Sequence, residues 1–76
     1  MRELVEFMAK HLVDRPEEVH VSEIEGEKAI VYELRVGEGE LGRVIGKGGR
    51  TAQAMRILLN AAAAKRGKRV VLEILE

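Results

Sequence analysis

A short glycine loop with basic neighbours is the part of this 76-residue sequence whose residue types could do chemistry. The segment Gly46–Gly49 reads G-K-G-G, and Arg50 follows it directly. Glycines let a backbone approach a ligand closely, and a helix that starts after them presents unpaired N–H groups and the positive end of its dipole. The pattern therefore predicts a site for a phosphate group.

A second glycine pattern, G-E-G-E-L-G at Gly37–Gly42, competes with this loop for the same role. It matches the G-x-G-x-x-G fingerprint of dinucleotide sites, but Glu38 and Glu40 would repel a pyrophosphate. The acidic residue expected about 20 positions further on is missing, because the next acid after Glu40 is Glu73. A P-loop is disfavoured as well. That motif needs four residues between its first glycine and the Gly-Lys pair, whereas three separate Gly42 from Gly46, and Gly48 rather than Ser or Thr follows Lys47. We interpret Gly37–Gly42 as a turn between a strand and a helix.

The charges of the chain are segregated although the net charge is zero. Residues 1–40 carry 5 Lys/Arg and 11 Asp/Glu, a net charge of −6, whereas residues 41–69 carry 8 Lys/Arg and no acid. Residues 70–76 add two glutamates. Such asymmetry suggests an anionic partner. The alternative is that the acidic half of the same chain is the partner of the basic run, and charge alone leaves both interpretations open.

The first half of the chain predicts a helix followed by a β-hairpin. A helix is predicted over residues 2–13, because the apolar residues there recur with i, i+3, i+4 spacing. Pro16 cannot lie inside this helix, so the helix ends before it. Strands are predicted over 18–25 and 29–36, with a glycine turn between them. The helix is expected to place in the core Leu4, Val5, Phe7, Met8 and Leu12. The second strand is expected to turn inward Ile30, Tyr32, Leu34 and Val36.

The second half predicts a brief helix over 41–45, the glycine loop, a helix over 50–66 ended by Gly67, and a strand over 69–76. The long helix is expected to turn inward Ala52, Met55, Leu58, Leu59, Ala62 and Ala63. A helical crossover between the last two strands favours parallel pairing. The predicted fold is an α+β domain of order α-β-β-α-α-β over residues 1–76, with a three-stranded mixed sheet and three helices on one face.

Several function classes are disfavoured by what the sequence lacks. His11 and His20 have no partner at metal-ligand spacing, Ser22 has no base nearby, and no paired carboxylates occur in a catalytic setting. We expect neither enzyme activity nor a metal or cofactor. Phe7 and Tyr32 are the aromatic residues, and both are predicted in the core, so an aromatic stacking platform is not expected. With no cysteine, signal peptide or membrane span, a cytoplasmic location is expected.

The segment VIGKGGRTAQAMR, inside this order of elements, resembles a type II KH domain. Together with ELVEFMAKHLVDRPEEV and LLNAAAAKRGKRVVLEILE, it is similar to the small bacterial single-KH proteins of the KhpA type over essentially the whole chain. KH modules clamp about four nucleotides of single-stranded RNA. The resemblance implies an RNA chaperone or post-transcriptional regulator that self-associates or pairs with a larger KH-containing protein of the KhpB (Jag) type. The end of the chain just after the last strand suits a stand-alone domain.

The same resemblance implies an RNA-binding site at the loop and its flanks. Its residues would be Gly46, Lys47, Gly48, Gly49, Arg50, Arg43, Val44 and Ile45. Val44 and Ile45 would line the groove, with core packing as the alternative role for either. The remaining basic residues stay open between solvated surface and RNA contact, namely Arg56, Lys65, Arg66, Lys68 and Arg69.

A protein–protein adaptor is the alternative function. The overall charge is weak, and the alanine run Ala61–Ala64 permits close approach of another surface. That surface is either the chain's own sheet or a second protein, in which case the KH fold would serve mainly for dimerisation.

Overall fold

The chain folds in the order α-β-β-α-α-β, as predicted. The computed structural model describes residues 1–76. The three helices are α1 (Arg2–Leu12), α2 (Leu41–Ile45) and α3 (Arg50–Ala64), and the three strands are β1 (His20–Glu25), β2 (Ala29–Arg35) and β3 (Arg69–Leu75). One-turn 3-10 helices lie at Pro16–Glu18 and Lys47–Gly49. None of the helices combines the length and the hydropathy that a membrane crossing needs.

The three strands form one mixed sheet in the order β1-β2-β3. β1 and β2 are an antiparallel hairpin in which Ile24 pairs with Val31, and β2 and β3 are parallel, with Tyr32 beside Leu72. The parallel pair is joined by the segment that contains α2, the glycine loop and α3. This crossover places the loop at one end of the domain, between two helices of fixed position.

One face of the sheet holds the core, and the helices pack on that face. Alternate residues of β2 are buried as predicted, among them Ile30, Tyr32 and Leu34. In α3 the residues at i, i+4 spacing, Met55, Leu59 and Ala63, face them, and α1 contributes Val5 and Ala9. Full burial of each large apolar side chain stabilises the fold by about 1.5–3 kcal/mol, so this single core holds the helices in place.

Two residues predicted to be inward are largely exposed: Phe7 by 61% and Leu58 by 56%. On α1 the buried pair is Val5 and Ala9, and a residue two positions after Val5 lies about 200° around the helix axis. On α3, Leu58 is rotated by about 100° from the buried Leu59 in the same way. The apolar stripes of α1 and α3 are therefore wider than the helix faces that the sheet covers, and the apolar side chains outside the covered faces remain exposed. Leu4 is partly exposed for the same reason.

The observed boundaries differ from the predicted ones by one or two residues. β1 starts at His20 rather than at residue 18, because Pro16 begins a 3-10 turn that continues to Glu18. α3 ends at Ala64 rather than at residue 66. Gly67 has φ of +70° and its N–H donates to the carbonyl of Ala64 at 3.0 Å, so the predicted glycine stop is confirmed.

Candidate nucleic-acid interface

The glycine loop is a tight turn that only glycine-rich sequence adopts without strain. Gly46, Gly48 and Gly49 have φ values of +78°, +64° and +79°. The N–H of Gly46 donates to the carbonyl of Gly42 at 2.9 Å, and the N–H of Gly49 donates to the carbonyl of Gly46 at 3.1 Å. These bonds close the end of α2 and turn the chain directly into α3. At each of these three positive-φ positions a side chain would be penalised.

The glycines of this loop have two different structural roles. A Cβ atom on Gly46 would lie 2.2 Å from the Oγ1 atom of Thr51, so this position must lack a side chain if the loop is to pack on α3. A Cβ atom on Gly48 or Gly49 would meet nothing within 4 Å. Gly46 therefore serves internal packing, whereas Gly48 and Gly49 leave the backbone open to a ligand.

The start of α3 is positive and has no internal anion. Its N-cap residue is Gly49, and no side chain caps the helix. Lys47 and Arg50 are exposed and form no ion pair, and the first turn holds no acid. The helix dipole and two free cations thus add up at one surface, which is the arrangement that binds phosphate oxygens.

The residues before the loop lie in three different environments. Val44 has no exposed surface and belongs to the core, so the packing role holds for Val44 and its side chain does not line a groove. Ile45 is half-buried and keeps part of its surface accessible. Arg43 is exposed, and its guanidinium forms an ion pair with the Asp14 carboxylate at 3.0 Å. Of the three, Arg43 and Ile45 keep accessible surface beside the loop.

The far end of the basic run is partly neutralised by the acidic half of the chain. Arg66 pairs with Glu25 at 2.6 Å, and Lys68 contacts the same carboxylate. The hydrogen bond from Lys68, together with the charge of Arg66, lowers the pKa of Glu25, although burial opposes this shift. Lys65 and Arg69 are exposed without an ion pair. Pairing within the chain therefore accounts for Arg43, Arg66 and Lys68, which contact acids of residues 1–40. Lys47 and Arg50 have no such partner.

Two side chains of α3 occupy the edge of β3. Asn60 accepts a hydrogen bond from the N–H of Val70 at 2.8 Å and donates to the Val70 carbonyl at 3.3 Å, while Arg56 donates to the carbonyl of Leu72 at 3.0 Å. They pair backbone groups of an edge strand that would otherwise be open to another chain. Sequence reasoning did not single out Asn60. Its signal is that it is the one polar residue within ILLNAAAA.

A shallow apolar groove of about 390 Å³ runs between α1 and α3. Phe7 and Leu58, the two residues wrongly predicted to be inward, line it. The rings of Phe7 and His11 lie beside each other with centroids 4.3 Å apart. Thr51, which packs on Gly46, lies in the same groove. The groove therefore begins next to the glycine loop, and most of the side chains that line it are apolar.

The other glycine stretch, Gly37–Gly42, is a connecting segment held from inside. Glu40 is only 3% exposed, and its carboxylate accepts hydrogen bonds from the backbone N–H groups of Asp14 and Arg15. A Cβ atom on Gly37 would lie 2.6 Å from the Glu18 carboxylate. The interpretation of this stretch as a strand-to-helix turn is confirmed, because it joins β2 to α2 and packs on the connection between α1 and β1.

The α-β-β-α-α-β order and the G-x-x-G loop between α2 and α3 define a KH-domain protein. A family model described as KhpA/KhpB, KH domain, matches residues 2–74. The chain belongs to this family.

Relatives of the family match over nearly the full length. The chain is 59% identical to "RNA-binding protein KhpA" of Aquifex aeolicus, over 100% of this chain and 96% of that protein. It is 55% identical to the protein of the same name from Clostridium perfringens, over 99% and 100% of the two chains. In Borreliella burgdorferi the identity is 53%, over 97% and 90%.

A solved structure shares the fold. It is the crystal structure of Era in complex with MgGDPNP and nucleotides 1506–1542 of 16S ribosomal RNA, and it matches with a TM-score of 0.70. The match covers 97% of this chain and 28% of that chain. Because the sequence identity is 22%, the likeness concerns the fold alone.

Proposed function

We propose that this chain is an RNA-binding KH protein that holds the phosphate backbone of single-stranded RNA on the loop Gly46–Gly49. The observation that carries the proposal is the conjunction of an open left-handed glycine backbone, an uncapped helix start and two unpaired cations, Lys47 and Arg50. The curated relatives named as RNA-binding proteins support it. The proposed role is that of an RNA chaperone or post-transcriptional regulator in the cytoplasm, with residues 1–76 as a single KH domain and no enzymatic activity.

The proposed contacts are divided between charge and shape. Lys47, Arg50 and Arg43 would attract phosphates, and the open backbone at Gly48 and Gly49 would let them approach closely. Ile45 offers an apolar surface to a base, while Val44 supports the loop from the core. Phosphate contacts position the strand but carry no sequence information, so affinity is expected to be modest and strongly dependent on salt.

The test is the double substitution Gly48→Asp with Gly49→Asp. A Cβ atom at either position meets nothing within 4 Å, and Asp is among the residues that tolerate the left-handed conformation, so the fold should survive. Two carboxylates where phosphates are proposed to bind should reduce affinity for a single-stranded RNA more than about tenfold, measured by fluorescence anisotropy at low salt.

A matched control carries the same change of charge far from the loop. Ser22→Asp with Gly26→Asp places two carboxylates at exposed positions of the β1 hairpin. This control should alter affinity little. If the loop variant binds RNA as tightly as its control and with the same salt slope, the phosphate clamp at Gly46–Gly49 is refuted.

A specific observation also favours association with a second KH chain, either a copy of this chain or a larger protein of the KhpB (Jag) type. Phe7 and Leu58 expose 61% and 56% of their surfaces along one groove. Exposed apolar patches of this kind mark interaction sites. We propose that the surface around Phe7 and Leu58 is where this pairing occurs, and that dimerisation accompanies RNA binding rather than replacing it.

Light scattering after size exclusion tests this second proposal on the protein alone. Leu58→Asp should shift the protein from dimer to monomer, because a carboxylate in an apolar contact is costly. Ile24→Asp is the matched control, since Ile24 is 66% exposed on the sheet face that carries no helix. A monomeric mass for the unmodified protein at high concentration would rule out the homodimer. A stable dimer with no RNA affinity at low salt would favour the adaptor function instead.

A further inference from the structure

Arg43 is the one cation next to the glycine loop that already has an anionic partner. Its Nη2 atom lies 3.0 Å from the Oδ2 atom of Asp14, and both side chains are exposed, Arg43 by 58% and Asp14 by 65%. Lys47, inside the loop, and Arg50, directly after it, have no ion pair. Arg43, at the edge of the proposed phosphate site, is therefore already occupied by a carboxylate of the chain itself, unlike the other two cations.

Asp14 is held in this position by the buried connection described above. Its backbone N–H and that of Arg15 donate to the carboxylate of Glu40. The Arg15 guanidinium donates to the carbonyl of Glu38 and, at 2.8 Å, to the carboxylate of Glu18. The backbone at residue 14 is thus anchored, while the Asp14 side chain is left free to face α2.

We infer that Asp14 is a built-in competitor for the RNA phosphate at Arg43. In the free protein the Asp14 carboxylate occupies the guanidinium of Arg43, and in the RNA complex a phosphate oxygen takes its place. This inference rests on the proposed function, since it concerns the same phosphate site. Asp14 acts through Arg43 and is a positioning residue that keeps the loop's affinity lower than its cations alone would allow.

The size of the effect follows from the exposure of the pair. Exposed ion pairs are weak, because water screens them and two long side chains must be ordered. A phosphate can therefore displace the Asp14 carboxylate readily, and removing the competitor should strengthen RNA binding by a small factor. The competition should be strongest at low ionic strength and should fade as salt screens all three charges.

The experiment measures single-stranded RNA affinity of the full chain as a function of salt for Asp14→Asn, Arg43→Ala and the double variant. Asp14→Asn keeps the shape of the side chain and should raise affinity about two- to fivefold at low salt. It should also steepen the salt slope by up to about 0.7, the contribution of one phosphate contact on a single strand. Arg43→Ala should lower affinity, and by a larger factor when Asp14 is already asparagine.

Glu17→Gln is the matched control for the change of net charge. Glu17 is exposed in the same connection and forms no ion pair, so its neutralisation should leave the salt slope unchanged. The Asp14 side chain forms a hydrogen bond and ion pair with Arg43 alone, so the unfolding midpoint of Asp14→Asn should stay close to that of the unmodified protein.

The outcomes separate this inference from the proposed function. If Asp14→Asn weakens binding, or changes it no more than Glu17→Gln does, the competition is refuted, even when the Gly48 and Gly49 variant weakens binding as expected. Equal effects of Arg43→Ala with and without Asp14 would refute it as well. If the Gly48 and Gly49 variant binds RNA normally, the phosphate site itself is refuted.

Discussion

The two glycine stretches of this chain, Gly37–Gly42 and Gly46–Gly49, lie four residues apart and serve opposite purposes. In the first, Gly37 is buried against Glu18, and the carboxylate of Glu40 is taken up by two backbone N–H groups of the chain itself. In the second, Gly48 and Gly49 face open space, and no side chain caps the helix that follows.

The difference lies in whether the chain supplies its own anion. At Gly37–Gly42 two of the three variable positions are glutamates, and one of these, Glu40, is buried and accepts hydrogen bonds from the α1–β1 connection. At Gly46–Gly49 the variable positions are a lysine and a glycine, so the helix start and its cations have no acceptor within the molecule. A glycine motif that includes a carboxylate bound by the chain itself serves to connect two elements. A glycine motif without such a carboxylate is suited to bind an anion from another molecule.

The largest expected effect would come from removing the internal anion. Glu40→Ala removes a buried carboxylate and leaves the part-buried N–H groups of Asp14 and Arg15 without their acceptor. Unsatisfied buried groups cost about 1–3 kcal/mol each, so we expect a loss of about 3 kcal/mol in the free energy of unfolding. Urea denaturation followed by circular dichroism would measure it.

Glu38→Ala is the control for Glu40→Ala, because the exposed Glu38 takes part in this connection only through its backbone carbonyl. Its stability should change by less than about 0.5 kcal/mol. Equal stabilities of the two variants would show that the first glycine stretch is not held by its buried carboxylate, and the contrast between the stretches would fail.

An intermediate effect on stability is expected for Gly46→Ala. This variant measures how much the packing of Gly46 on Thr51 contributes to the stability of the fold. The new methyl group would overlap Thr51 and would sit at a φ of +78°. The left-handed backbone alone costs about 1–2 kcal/mol, and the overlap adds to it. Gly42→Ala is the matched variant, since Gly42 lies in α2 with nothing within 4 Å, and it should gain about 0.5–1 kcal/mol from helix propensity. Thermal unfolding of both variants gives the comparison, and destabilisation of both to the same extent would contradict it.

The smallest effect is expected in RNA affinity when single cations are removed. Lys47→Ala, at the loop, should reduce the slope of log affinity against log salt by about 0.7, and weaken binding only a few-fold. Arg66→Ala removes a cation that is already paired with Glu25, so its slope should stay unchanged. Anisotropy titrations at several salt concentrations would distinguish them. If Arg66→Ala reduced the salt slope more than Lys47→Ala does, the RNA phosphates would bind at the C-terminal end of α3 rather than at the glycine loop.

Much of the fold follows from local pattern and turn chemistry. Period-two alternation at Ile30, Tyr32 and Leu34 identified β2 and its buried face, since one side of a pleated strand faces the core. Gly67 identified the end of α3, because its left-handed conformation is needed there. The glycine loop was predicted as a phosphate site because residue type and charge are local properties.

What the sequence by itself determined is therefore the element order, the mixed sheet and the position of the loop. Only the tertiary structure decided which apolar residues are left over, because a helix of given hydrophobic width can be covered fully or partly by its neighbours. Phe7 and Leu58 are exposed for that reason. It also decided which charges pair. Asp14 with Arg43 and Glu25 with Lys68 join residues far apart in the chain, and no pattern within either segment specifies its partner.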